Sequence, residues 1–413
     1  MAAHSHHATQ DAEPTNLRLS PAEFGNLPTK AFSAGVVALG VCLVIMLIPP
    51  LRVTMLYSYY VGFLFWLYFC LGSMGLLMIQ YLTGGGWGVV LRRVLEAATR
   101  NLYWMPVLFL PIVVFHHSIY EWTHTEIVAT DIIIQRKAAM LNSTGWILRS
   151  FGYFALWGFM AWRLNSLSLH HDRTGDPGSW VALKFTSGPG IPILILSVTL
   201  AATDWLMSME PHWFSSMFGG VQLIGMVLAS MALAAVVSTL LARTKPLCYI
   251  LNVGHLHDMG KFLLGFTMVW AYFSLSQFLI TWSGNLAEFS QWYLPRVRNG
   301  WAVVGGFLIF FHFMLPFILL LSRDLKRNPR TLVGIGLYIL AARLVEIHFT
   351  VVPSARIVGG PEGLFSMALL FTPLAVVAIG GLWLSRYMTN LTERDMLPVN
   401  EPMLEEALEV HGH

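Results

Sequence analysis

YSYYVGFLFWLYFCLGSMGLLMIQYL, residues 57–82, contains no acidic or basic side chain. As a helix rising 1.5 Å per residue it reaches about 39 Å, further than the roughly 30 Å of a bilayer's hydrocarbon core. The rest of the chain decides whether such a segment sits in lipid. The 413 residues are 56% hydrophobic and 13% aromatic but only 11% charged, against about 25% charged in an ordinary soluble protein. A chain this long and this poor in charge cannot cover a water-facing surface, so lipid covers it. The fold class is all-α integral membrane.

Working outward, ten segments are long and apolar enough to span, about ten transmembrane helices in all. They cover residues 31–49, 57–82, 102–115, 145–162, 189–209, 213–241, 259–285, 300–321, 331–350 and 365–387. The third is short, and the amphipathic stretch 87–100 before it is expected to lie in the interface as part of the same helix. This divides the chain into an N-terminal tail (1–30), a ten-helix transmembrane domain (31–388) and an acidic C-terminal tail (389–413). The N-terminal tail lacks the basic start and short apolar core of a secretory signal. Of the 25 Lys and Arg, about 17 fall on the N-terminal side of the membrane, about six on the other side, and Arg149 and Arg343 inside helices. Both termini are therefore expected in the cytoplasm. The net charge of +3 forms no basic block suited to nucleic acid. Cys42, Cys70 and Cys248 stand apart, with no haem-attachment or iron–sulfur spacing.

Ionisable groups inside spans are costly and usually paired or functional. Helical rise places Asp204 about 8 Å, and Arg343, Glu346 and His348 about 10, 6 and 3 Å, below the outer ends of their spans. Arg343 and Glu346 stand i, i+3 and can pair; Asp204–Arg343 is the competing pair. The outer loops add His116, His117, Glu121, His124, Glu126, Asp131, Glu210 and His212. Such a polar outer third suits a quinone headgroup, whose oxygens need hydrogen bonds and whose protons need acceptors. Further in, Gln277, Ser276, Tyr272 and Thr267 lead along the seventh span toward Lys261 and Asp258, and His312 lies about 18 Å deep on the eighth. These are candidate proton-relay groups, with interhelical hydrogen bonding as the plain alternative. A bis-histidine haem is disfavoured, because His312 lies deep and His348 shallow.

Two sequence blocks are distinctive: DWLMSMEPHWFSSMF (204–218), and HDMGKF (257–262) followed by WAY (270–272), SQF (276–278) and WYL (292–294). Together they resemble the F subunits (ActF) of bacterial alternative complex III, a quinol:cytochrome c or electron-acceptor oxidoreductase, within the NrfD family. The resemblance runs from about residue 30 to 390. It implies an NrfD-like pair of four-helix bundles, helices 2–5 and 6–9, with the first and tenth helices packed outside. It also implies a second NrfD-type membrane subunit as the site of menaquinol oxidation, with haem c and iron–sulfur clusters in multi-haem cytochrome and iron–sulfur subunits. The F subunit is expected to contribute a proton pathway, with a quinone-binding surface as a second role, rather than to be an enzyme alone. Asp204, Asp258 and Lys261 sit within the matching blocks; Arg343, Glu346, His348, His312, Tyr272 and Gln277 rest on position alone. No metal ligand set and no catalytic residue emerges. The competing functions are an independent proton-coupled transporter, whose paired broken spans are not evident here, and a purely structural anchor.

Overall fold

A computed structural model describes residues 17–397, 400 and 404. The first 16 residues of the expected N-terminal tail and most of the acidic tail lie outside the described residues. In chain order the long helices are α1 (Leu27–Leu47), α2 (Pro49–Thr83), α3 (Gly86–Val114), α4 (Ser143–Thr174), α5 (Pro177–Met209), α6 (Phe218–Arg243), α7 (Val253–Gly284), α8 (Trp301–Leu321), α9 (Pro329–Val358) and α10 (Ala368–Thr392). Among the described residues no β-strand forms, and nine of these helices, all but α4, are both long and apolar enough to cross a membrane. The protein is an all-α, multi-pass membrane protein.

The expected fourth span, α4, has the length, 32 residues. Arg149, Arg163 and several Trp and Tyr residues dilute its apolar character. Some of their polar atoms are satisfied inside the protein: the Trp157 indole N–H donates to Ser197 Oγ at 2.9 Å and the Trp146 indole to the Asp204 carbonyl at 2.8 Å. The two described ends of the chain meet, with Arg18 Nε 2.7 Å from Asp395 Oδ1 and the Met396 amide 2.7 Å from the Leu17 carbonyl. The two described ends thus lie together at one end of the bundle, and α4 packs along α5.

The quoted stretch lies in α2, and it faces protein rather than lipid: 94% of its most apolar window is buried. A helix apolar all round belongs in an interior, and α2 packs against α1, α3, α5, α6, α9 and α10. Its buried tyrosines find acceptors, Tyr57 on the Ile119 carbonyl (2.8 Å) and Tyr59 on the Leu108 carbonyl (2.7 Å). Around it, α2–α5 touch one another, and α6 contacts α7 and α9 while α8 contacts both. α1 and α10 pair against α2. Their backbones touch: a Cβ on Gly381 would lie 2.4 Å from the Ala31 carbonyl oxygen, the small-residue contact that membrane helices use. The most apolar windows of α1, α7 and α8 are only 22–28% buried. They expose Val37, Val44, Trp282, Val303 and Ile309, a surface that lipid must cover.

Two expectations need correcting. The amphipathic stretch 87–100 is part of the same helix as expected, but its polar face meets protein rather than headgroups and water. It forms the first half of α3, joined to the second by a tight turn at Asn101–Trp104, and Arg92, Arg93 and Glu96 are buried. Its charges are neutralised internally: Arg93 Nη1 donates to Glu96 Oε2 at 2.7 Å, Arg92 Nη2 to Ser168 Oγ at 2.7 Å, and Arg394 Nη1 to Glu96 Oε2 at 3.2 Å. The start of the C-terminal tail is therefore docked on its own chain. The second correction concerns α9. It continues as a tighter turn through Val358, so Arg343 and Glu346 lie deeper than an end at residue 350 implies.

Candidate functional site

Asp204 stands near the end of α5, with Arg149 and Tyr153 facing it from α4. Arg149 holds the carboxylate with two bonds, Nε to Oδ2 at 2.8 Å and Nη2 to Oδ1 at 2.9 Å, and the Tyr153 hydroxyl donates to Oδ2 at 2.6 Å. Of the two pairings open to Arg343, the one with Asp204 does not form. Arg149 and Tyr153 are one helical turn apart and Trp146 precedes Arg149 by three residues, so one face of α4 supplies all three donors. The 146/149/153 spacing is visible in the sequence, but which carboxylate it faces is not.

Arg343 instead pairs with Glu346 on its own helix, in a second cluster. The Trp270 indole N–H of α7 donates to Glu346 Oε1 at 2.9 Å. His312 of α8 lies against the same carboxylate, Nδ1 standing 3.5 Å from Glu346 Oε2, with its ring 4.0 Å from that of Trp270. That approach makes no hydrogen bond, and both imidazole nitrogens are buried without a partner. Three features build the cluster. A wide-turn π segment at Leu308–Met314 carries His312. The extension of α9 through Val358 leaves Glu346 well inside the helix end, and His312 stands midway along α8. Gly225 of α6 leaves room for the guanidinium, since a Cβ there would lie 2.0 Å from Arg343 Nη2. His312 and Glu346 thus share one depth, against the expectation of a deep His312 and a shallow Glu346.

The remaining candidates scatter. His348 turns away from Glu346 toward α10, its Nδ1 3.0 Å from Thr372 Oγ1, while its Nε2 is buried without a partner. Gln277 and Thr267 are buried on the inner face of α7, each with an unpartnered side-chain oxygen. Tyr272 is 66% exposed on the apolar outer face and cannot belong to a chain with them. Asp258 and Lys261 form an exposed pair, 2.9 Å apart, at the start of α7.

A third buried set was only partly anticipated. Glu210, expected as a loop acid, receives Arg296 Nη1 at 3.0 Å and the Ser354 hydroxyl at 2.7 Å, with Arg356 Nη2 at 3.5 Å. Arg296 also donates to the Thr350 and Phe349 carbonyls and lies 3.8 Å from the Trp292 ring centre. Burial holds its guanidinium below the ordinary arginine value, with Glu210 working in the opposite direction. Beside this set lies a cavity of about 540 Å³ lined by Glu121, Glu210, His212, Arg298, Arg356 and Glu362 among others. Burial raises the Glu121 carboxyl above its ordinary value; His212 pulls it down and Asp131 pushes it up. His212 Nε2 itself stands 2.6 Å from Asp131 Oδ2. Among the described residues no group of His, Cys, Asp or Glu converges to hold a metal.

No family model and no curated protein matches the chain. The geometry offers paired carboxylates at two depths, a partnerless imidazole beside the deeper one, Glu346, and a polar cavity at one end.

Proposed function

We propose that the chain is a membrane subunit of a quinol:electron-acceptor oxidoreductase of the alternative complex III type, in the NrfD family, and that its part is to carry protons. It sits in a bacterial inner membrane with both termini cytoplasmic, the side where most of its Lys and Arg fall. Haem c and iron–sulfur clusters belong to its partners, and a second NrfD-type subunit oxidises menaquinol. The contacts within α2–α5 and within α6–α9, with α1 and α10 alongside, support the two-bundle architecture.

The observation that carries the proposal is His312. A buried imidazole with both nitrogens unpartnered is costly, and one beside a carboxylate in mid-membrane is suited to accepting and passing a proton. Arg343 and the Trp270 indole hold the Glu346 carboxylate while His312 exchanges protons with it. Asp258 and Lys261 mark the cytoplasmic mouth, with Thr267 on the inner face of α7 above it. Gln277 leads outward toward the cavity at Glu210 and Glu121. Water bridges the gaps between these groups. The cavity sets the charged groups Glu121, Glu210, Arg298, Arg356 and Glu362 beside an apolar wall of Pro211, Leu294, Pro295 and Ile357, so water and protons fit it and a quinone headgroup is its second candidate occupant.

Native purification in mild detergent, with haem spectroscopy and mass spectrometry, tests the proposal. Co-purifying multi-haem c-type cytochromes, an iron–sulfur subunit and a second NrfD-type chain are expected. A colourless, lone protein would overturn it and favour an independent proton-coupled transporter.

A further inference from the structure

At the end of the bundle that holds both described termini, a cavity of about 500 Å³ is lined by Arg243, Asp324, Arg327, Asn328, Pro329 and Arg330. It brings together the last turn of α6, the short helix Arg323–Arg327 that follows α8, and the first turn of α9. Three arginines and one carboxylate line it, and none of Arg243, Arg327, Arg330 or Asp324 takes part in an ion pair among the described residues. Arg327 Nε is buried without a hydrogen-bond partner. The positive end of the 23-residue helix Pro329–Val351 opens on the same space, its first turn capped by Asn328, whose side chain accepts from the Arg330 amide. One turn above Arg243 and Asp324, Leu240 and Leu321 are exposed, at 63% and 57%. An anionic group in the cavity would thus have apolar helix surface directly beside it.

We propose that this cavity binds the phosphate of an anionic phospholipid, with the acyl chains lying along Leu240 and Leu321. Arg243, Arg327 and Arg330 supply the positive charge and the guanidinium donors, which suit a phosphate diester. The position at the ends of three helices is where basic pockets of membrane proteins take lipid headgroups. Free inorganic phosphate shares the recognition chemistry but has no use for the adjoining apolar surface.

The test uses the full chain, or its native complex, delipidated in mild detergent and titrated with phosphatidylglycerol or phosphatidylcholine, with bound lipid counted by native mass spectrometry. Phosphatidylglycerol should be retained and phosphatidylcholine lost. Arg327→Gln with Arg330→Gln should lower phosphatidylglycerol retention about thirtyfold, two arginines at a membrane surface. Asp324→Asn, which keeps all three arginines, should raise it, and this arm stands even where the double variant fails to fold. Inorganic phosphate at millimolar concentration should leave the lipid bound. Equal retention of the two lipids, unchanged retention in both variants, or displacement by inorganic phosphate alone would overturn the proposal.

Discussion

Asp204 shows how far a single residue can be read. Its burial demands a partner, because an unpaired carboxylate in the interior is expensive, and the partner is Arg149 on the neighbouring helix. Arg149→Gln would leave that carboxylate buried and uncompensated. The expected cost is about 2–3 kcal/mol, less than for a fully enclosed pair because Arg149 is partly exposed. Thermal melts in detergent check this, and Asp204→Asn combined with Arg149→Gln should cost less than Arg149→Gln alone. Glu121 makes a prediction about pH. Its carboxyl titrates above its ordinary value of about 4.5, chiefly through burial. The folded state therefore binds this proton more tightly than the unfolded state, and the favourable contribution present at low pH is lost as pH rises from 4.5 through the raised value. Glu121→Gln should match the parent below that window and melt higher above it, as a pH series of melting curves would show. The candidates Asp204, Glu346, Arg343 and His312 were legible in the sequence because charge inside a span is conspicuous. Their partners were not, because Arg149 and Trp270 are chosen by how helices face one another, and one sequence carries no facing information.

At the scale of the helix, hydropathy locates the apolar runs but not the ends that set depth. Helix α9 continues as a buried tight turn through Val358, where a polar Pro-Ser-Ala-Arg stretch reads as a loop. That extension, with the π segment of α8, brings His312 to Glu346. The first half of α3 misleads in the opposite way. Its arginines and Glu96 look amphipathic, yet they are buried and neutralise one another. A period of 3.6 shows a polar face but not whether water or protein meets it. Gly225 tests whether the packing of α6 against α9 shapes the site. Gly225→Ala would put a methyl 2.0 Å from Arg343 Nη2, so the guanidinium must move and its hold on Glu346 loosen. Proton-coupled turnover should fall in Gly225→Ala and stay unchanged in Gly265→Ala, where an added Cβ meets nothing within 4 Å.

Across the whole molecule, the ionisable groups stand in separate stations rather than one outer cluster. Asp258–Lys261 lies at one end of α7, the Glu346 set midway along the bundle, and Asp204–Arg149 and Glu210–Arg296 toward the other end. In the proton path proposed above, His312 and Glu346 form the middle station, while Tyr272 faces outward and His348 is turned to α10. The deciding measurement reconstitutes the native complex into sealed vesicles and counts protons appearing outside per electron delivered, for the parent and Glu346→Gln. The account predicts that Glu346→Gln keeps its partners and oxidises quinol while the ratio falls to what quinol chemistry alone releases. An unchanged ratio in a fully assembled Glu346→Gln complex would contradict it.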